Sequence, residues 1–472
     1  MKKLWIFLVF VFLIILINFN YNSDAIDFQI IKKSDINKIQ EPVYPSGTVI
    51  RGKSFGSQTA VDYALACAID GEGDVYTAGK INNKPAVVKT DKYGNVFWTY
   101  IATGAGGGEV RSIAIDKIGY VYITGNFIST QDFGGGPLVT AGGYDVFVVK
   151  LDPWKRHIWS KRYGSPAFSS TPTETGNAIA IDPTDNSVVF TALWGDGGAV
   201  DFGGGFVTPS YIQDAIIVKL TTDGNFVWNR HIGGSAGTYP AGLTVDKVGS
   251  VYVTGAIYSP TKFDNNIIVT NNAGINNDAF VAKYSANNVF QWVKNYGQQT
   301  VQATGQNLLV DNNGDLIFLG LSMGLNNFGG IMLTNRGADD IILAKYNSYN
   351  GNHIWSKSIG SWAMDYAKGI GIDSSNRITI AGIFNRSLNF NDGNFLPSSN
   401  PSVDWQAFVA SFESNGSLVW ARSFGNGAAR LEGVAVRPDG RIFTVGRMTG
   451  LENFGSFVLS NYQDILFLEF AK

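Results

Sequence analysis

The sequence predicts an all-β chain closed into a seven-bladed β-propeller with four-stranded blades, and three observations predict it. One strand pattern recurs seven times along 472 residues. Each copy is followed by further short strands, one of which carries a tryptophan in six of the copies. The strand absent from the last copy is found near the N-terminal end. Internal repetition of this kind outranks the three domains that length alone suggests at roughly 150 residues each.

The first strand of each unit ends in Asp70, Asp116, Asp182, Asp246, Asp311 and Asp373, with Arg437 in the seventh copy. The intervals are 46, 66, 64, 65, 62 and 64 residues. Two and four places back stand small residues, as in Ala68/Ala66, Ala114/Ser112 and Ala180/Ala178. One and three places back stand aliphatics, as in Ile115/Ile113 and Ile181/Ile179. A period of two means a strand with two distinct faces, and small side chains suit strands crowded near a ring axis. Cys67 falls in the aliphatic column and reads as a buried small hydrophobe.

The second strand follows an Asp-x-x-Gly turn and ends in glycine, as in Val121–Gly125 and Val251–Gly255, with Ala192 in the third copy. The third strand ends in lysine: Lys89, Lys150, Lys219, Lys283 and Lys345, a column expected to cover apolar surface or meet carboxylates. The fourth carries Trp98, Trp159, Trp228, Trp292, Trp355 or Trp420. All are β-branched or aromatic runs bounded by Gly, Asn and Asp, without helical periodicity.

The seventh unit stops after its third strand at Phe467–Phe470. Residues 48–56 match the tail of a fourth strand, with Arg51 in the tryptophan place. That strand is predicted to pair with the last unit and close the ring, which removes the open edges of a linear array.

Composition agrees and narrows the function. Hydrophobic residues reach 45%, aromatics 13%, and glycines number 56, so disorder is excluded for most of the chain and many tight turns are expected. Lys and Arg total 36 against 38 Asp and Glu, which supplies no basic excess to neutralise nucleic-acid phosphates. One cysteine excludes an internal disulfide framework and Cys-rich metal sites, and three histidines leave little for metal or acid–base chemistry. No cofactor, metal ligand set or catalytic residue is expected.

Met1-Lys2-Lys3, the apolar run Leu4–Ile17 and the small-residue end at Ala25 have the layout of a secretory signal peptide. The domain reading is therefore a signal peptide over 1–25, a polar linker over 26–46 and the propeller over 47–472. The protein is expected to be secreted or held at the cell surface, touching membrane only through an uncleaved signal.

Ser112–Gly125, and Asp145–Asp152 leading to Trp159, resemble the bacterial secreted β-propeller repeat (SBBP) family over about Gly47 to Lys472. The resemblance implies the fold, secretion and a surface or binding role. It supplies no catalytic residues. Arg437, Ala192, Ser411 and Glu469 depart from the repeat. The segment Asp91–Trp98 is faintly similar to quinoprotein propellers, whose vicinal cysteines a single-cysteine chain lacks.

In a propeller the first–second and third–fourth turns share one face, and the second–third and fourth–first loops share the other. The latter are long and varied, and six units carry an insert there, five with an Asp/Asn-Phe segment often followed by Gly-Gly and one with the weaker copy Lys262-Phe263, which reads as an extra hairpin. Variable loops on a rigid scaffold are where recognition sits. The expected ligand contacts on this face are Phe168, Trp194, Tyr239, Trp362, Asp365 and Tyr366, for an extracellular protein or a carbohydrate. Asp62, Glu174 and Asp365, each eight before a closing residue, are expected on one rim of the channel, solvated or holding a cation. The alternatives are a propeller enzyme (hydrolase or quinoprotein-like) and a structural cell-envelope protein. Carboxylates deep in the long-loop mouth favour the enzyme; a featureless mouth with exposed aromatics favours binding.

Overall fold

A computed structural model of the chain describes residues 4–10, 13–19, 44–56, 60–166, 174–195, 198–211, 213–258, 260–272, 276–398, 405–424, 429–453 and 458–472. Phe168, Phe454, Gly455, Ala25 and most of the predicted linker lie outside them. The chain forms two units, Met1–Pro45 and Ser46–Lys472. In the first, Leu4–Phe10 and Leu13–Phe19 pair antiparallel with Leu4 opposite Phe19. No helix among the described residues is long and apolar enough to cross a membrane.

The second unit is a seven-bladed β-propeller of four-stranded antiparallel blades. Blade 1 runs from the axis outward as Tyr63–Ile69, Val75–Ile81, Lys84–Thr90 and Val96–Ile101. The inner strands of blades 2 to 6 are Gly108–Ile115, Thr175–Ile181, Thr238–Val245, Gln302–Val310 and Tyr366–Ile372. Blade 7 combines Arg430–Val436, Ile442–Asn453 and Val458–Phe470 with the N-terminal Val49–Phe55 as its outer strand. Arg51 lies opposite Glu469 and Phe55 opposite Ile465. Gly47 N–H donates to the Ala471 carbonyl at 3.1 Å, and Ala471 N–H to that of Thr48 at 2.9 Å. The ring closes as the sequence predicts.

The two columns of the inner strands explain how blades stack. Ala66 and Ala68 of blade 1 pack against the cluster of Ile113 and Ile115 of blade 2. Ala114 meets Ile179 and Ile181, and Ala178 and Ala180 meet Leu243 and Val245. Small on one face and aliphatic on the next lets strands converge without voids. A Cβ on Gly242 would stand 2.6 Å from Asn307 Cα of the next blade, so that position tolerates no side chain. Cys67 packs at the junction of blades 7 and 1, where burial pushes its thiol up.

Each closing Asp builds its turn. Asp70 Oδ1 accepts the amides of Glu72 and Asp74 at 3.0 Å, and Gly73 takes φ +88°. Asp311 does the same for Asn313 and Asp315, so its calcium-like spelling is turn chemistry. The tryptophans tie blades together at the periphery. Trp98, Trp159, Trp228, Trp292 and Trp355 each donate Nε1–H to a turn carbonyl of the following blade, on Pro153, Thr222, Ala286, Ser348 and Ser414, at 3.0–3.2 Å.

The inserted hairpins are clasps between blades. Blade 1 lacks one and joins its second and third strands through Asn82-Asn83 at φ 52° and 60°, a tight turn of the I′ kind. Elsewhere the insert's phenylalanine, Phe133, Phe202, Phe263, Phe328 or Phe390, is buried. The hairpin backbone also pairs with the end of the preceding blade's outer strand, Thr103 with Asp132, Gly233 with Lys262 and Gly360 with Asn389. The Gly-Gly runs allow close approach: a Cβ on Gly135 would meet the His157 ring at 2.2 Å, and one on Gly330 the His353 ring at 2.3 Å.

Candidate functional site: the axial mouth on the long-loop face

All seven inner strands carry a β-bulge at the same place, five before the closing residue. The extra residues are Leu65, Arg111, Asn177, Ala241, Gln306, Lys368 and Glu432, and all seven line the axial cavity. Bulges re-aim a side chain at the cost of one ladder position. Here they aim seven chemically different side chains at one level of the channel. Nothing in strand pairing or blade stacking asks for arginine, lysine or glutamate at this place, since leucine and alanine serve as well in blades 1 and 4.

Above this ring a cavity of about 280 Å³ opens, lined by Tyr63, Glu109, Arg111, Glu432 and Arg447 among others. Tyr63 donates its hydroxyl hydrogen to Glu109 Oε2, and Lys80 stacks over the Tyr63 ring at 4.7 Å. Arg111 Nε stands 3.3 Å from Glu109 Oε1. Arg430 and Arg447, cross-strand partners in blade 7, act on Glu432 together with Lys368 and Arg111. Tyr366 donates to Gln306 Oε1 at 3.4 Å.

Four cations, Arg111, Lys368, Arg430 and Arg447, thus face two carboxylates, Glu109 and Glu432. A chain of net charge −2 gathers positive charge at its axis. Burial, then the neighbouring Arg111, lowers the Lys368 ammonium from its usual range, and burial raises Glu432. An added anion would relieve repulsion among the cations and recover part of their lost solvation.

The expected contact residues are placed as follows. Tyr239 and Trp362 are exposed, Tyr239 edge-on to Tyr258 at 5.4 Å and Trp362 under Arg386 at 4.4 Å. Tyr366 is half-buried in the mouth. Trp194 is buried against Phe202 and His231, with no surface to offer. Asp365 is also buried, accepting from Ser361 N, Ser361 Oγ at 3.0 Å and Asn385 N at 3.3 Å. Phe168 lies outside the described residues.

The expected acidic rim is corrected. Asp62 and Glu174, like Asp365, are buried and bind loop amides, Asp62 that of Asn82 at 2.8 Å and Glu174 that of Ser165 at 3.0 Å. The bulge adds one residue to each strand, so the alternation that holds over its last four residues does not reach the eighth place. Among the described residues no three His, Cys, Asp or Glu gather as a metal site. Sequence reasoning passed over Tyr63, Glu109, Arg111, Lys368, Glu432 and Arg447. The signal was present: across the repeats, the fifth place back varies freely in charge between two columns that carry no charge in any copy.

A family-model match agrees on the fold. Residues 227–260, the outer strand of blade 3 into blade 4, match the SBBP beta-propeller repeat model, so the chain carries that repeat. Such repeats are associated with secreted bacterial proteins. No curated protein sequence matches. Among solved structures, a streptogramin B lyase is 12% identical with TM-score 0.45, covering 89% of this chain and 98% of the other. A quinohemoprotein alcohol dehydrogenase from Comamonas testosteroni is 10% identical with TM-score 0.46, covering 90% of this chain and 76% of the other. A chain of a mitotic checkpoint complex is 12% identical with TM-score 0.45, covering 96% and 99%.

Proposed function

We propose that this is an exported, non-enzymatic propeller that binds an acidic group of an extracellular protein or glycan at its long-loop axial mouth. Met1–Ala25 directs export in this reading. The observation that carries it is the ring of bulge residues. A repeat fold has seven equivalent positions, fills five of them with unlike polar side chains, and leaves two more cations than carboxylates around them. Exposed Trp362 and Tyr239 on the same face add rings for contact with a peptide or sugar.

The test applies the labelled chain to arrays of uronate- and sialate-bearing glycans, neutral glycans, and acidic and basic peptides. Acidic members are expected to be retained, more weakly as salt rises. The double variant Arg111→Gln, Lys368→Gln is expected to lose at least tenfold in affinity. Retention of neutral or basic members alone, of none, or equal binding by the variant would sink the reading.

A second reading, catalysis, draws on Lys368 and Glu432, whose shifts both run toward the neutral form. Opposed shifts of this kind mark acid–base pairs in enzymes. Turnover of an array ligand, abolished by Glu432→Gln while binding persists, would favour it over binding alone.

A further inference from the structure

The short-turn face carries a second cavity, of about 730 Å³, between blades 1 and 2. Its size is that of a small-molecule site. Phe97, Ile118 and Trp154 stand at its edge, 61%, 73% and 68% exposed, and Trp98 and Tyr76 form its inner wall.

Seven-fold repetition again separates fold from function. The residue before the outer-strand tryptophan is Phe97 here and Ile158, Val227, Gln291, Ile354 or Val419 elsewhere. The third residue of the facing turn is Trp154 here and Asp223, Asn287, Tyr349 or Asn415 in later grooves. The one other aromatic among those, Tyr349, has Gln291 at the matching outer-strand place. Tyr93 holds the Trp154 place in the closing groove but lies under Arg51, so among the described residues it is between blades 1 and 2 that two aromatic rings and an aliphatic side chain converge in solvent.

The polar groups select the ligand's charge. Lys89 bridges Asp70 and Asp74, at 3.2 Å from each. Lys89 also stands over Tyr76 at 4.8 Å and Phe97 at 5.6 Å, while Arg156 stands over Trp154 at 5.4 Å. The lining sets Lys89 and Lys117 against Asp70, Glu72 and Asp74, and both exposed rings already have a cation on one face, so a further cation gains little. An uncharged polyhydroxyl ligand fits both features. Its C–H faces stack on the sides of the exposed Trp154 and Phe97 rings turned away from Arg156 and Lys89, and its hydroxyls donate to spare lone pairs of Asp74 and Glu72 or accept from Lys89.

We infer that this groove is a subsite for a neutral saccharide, separate from the axial mouth. Calorimetric titration of the full chain with cellotetraose, chitotetraose, maltotetraose and tetralysine tests it. At least one tetrasaccharide is expected to bind saturably, and Trp154→Ala and Phe97→Ala each to weaken it tenfold or more. Both side chains lie largely in solvent, so these variants keep the fold. Arg111→Gln at the axis is expected to leave this binding unchanged, which keeps the outcome distinct from that of the axial proposal. Absence of binding by every tetrasaccharide at millimolar concentration, binding of tetralysine alone, or variants within twofold of the parent would overturn it.

Discussion

Arg51 Nη1 donates to the Lys92 carbonyl at 3.3 Å, the bond that in five other blades is made by tryptophan Nε1. Arg51 sits in the outer strand contributed by the N-terminal residues, and Lys92 in the third–fourth turn of blade 1. The guanidinium also reaches back into its own blade, 3.1 Å from Glu469. One side chain therefore performs the inter-blade bond and secures the closing strand. The complementary gap lies one blade earlier. Among the described residues Trp420 Nε1 has no acceptor, because blade 7 has no covalent turn between its third and outer strands, and Gly47 packs against that ring instead.

Arg51→Ala is expected to lower stability by about 1–3 kcal/mol, from the lost inter-blade bond and from a buried Glu469 that loses one of its arginines. The midpoint of urea unfolding measures this. An unmoved midpoint would show that closure rests on the backbone ladder and not on the arginine.

The clasp hairpins make a second prediction. Phe202 is buried between Tyr163 at 5.3 Å and Trp194 at 5.6 Å. Phe202→Ala opens a cavity beneath the hairpin and is expected to cost about 3–5 kcal/mol. Thermal melting checks it. A loss below about 1 kcal/mol would mean that the hairpin collapses onto the blade and fills the space.

The blade count, the order of strands and the N-terminal closure were legible because burial imposes them repeatedly. Ala114 beside Ile115, or Trp159 in an outer strand, answers the same packing demand in every blade. The axial site was hidden for a physical reason. Arg111, Lys368 and Glu432 stand on bulges, and a bulge leaves no mark in a period-two pattern except that the pattern stops. Trp194 and Asp365 misled in the opposite way. They are aromatic and acidic residues near loops, but the hairpin covers the first and loop amides enclose the second.

Buried Asp365 and Asp340 give a pH dependence. Burial pushes Asp365 up to about 7 and Asp340 up to about 6. The folded state then holds protons that the unfolded chain releases near pH 4, so these groups make stability fall as pH rises from about 4 to about 7. Asp365→Asn cannot ionise, so its stability relative to the parent is expected to rise between pH 5 and pH 8. The gain is on the order of 2–4 kcal/mol. Denaturation midpoints of both proteins across that range decide the matter. Parallel curves would mean that Asp365 ionises freely in the fold.

The lysine column separates two roles that its uniform spelling conceals. In blade 3 the second strand offers Val189 beside the closing Asp182, and Lys219 reaches Asp182 Oδ2 at 2.7 Å while the Thr184 amide and hydroxyl donate to Oδ1, with lysine and aspartate both buried. In blade 2 the second strand offers Tyr122, whose hydroxyl faces Asp116 at 3.5 Å. Lys150 turns to the next blade, bonding the Thr222 carbonyl at 2.9 Å and its hydroxyl at 2.8 Å. Blade 5, with Ile317, follows the first pattern through Lys345 and Asp311. Blade 4, with Tyr252, follows the second through Lys283 and Ser348. In blades 2 and 4 a tyrosine on the second strand accompanies a lysine that bridges blades, whereas in blade 1 Lys89 keeps Asp70 and Asp74 although Tyr76 is present. Lys219→Met strands a buried carboxylate and is expected to cost about 3 kcal/mol or more. Lys150→Met gives up bonds to neutral acceptors and is expected to cost about 1 kcal/mol. Lys219→Met combined with Asp182→Asn is expected to recover part of the first loss, since the stranded charge is gone. Equal losses for the two lysine variants in urea unfolding, or no recovery in the double variant, would refute the division.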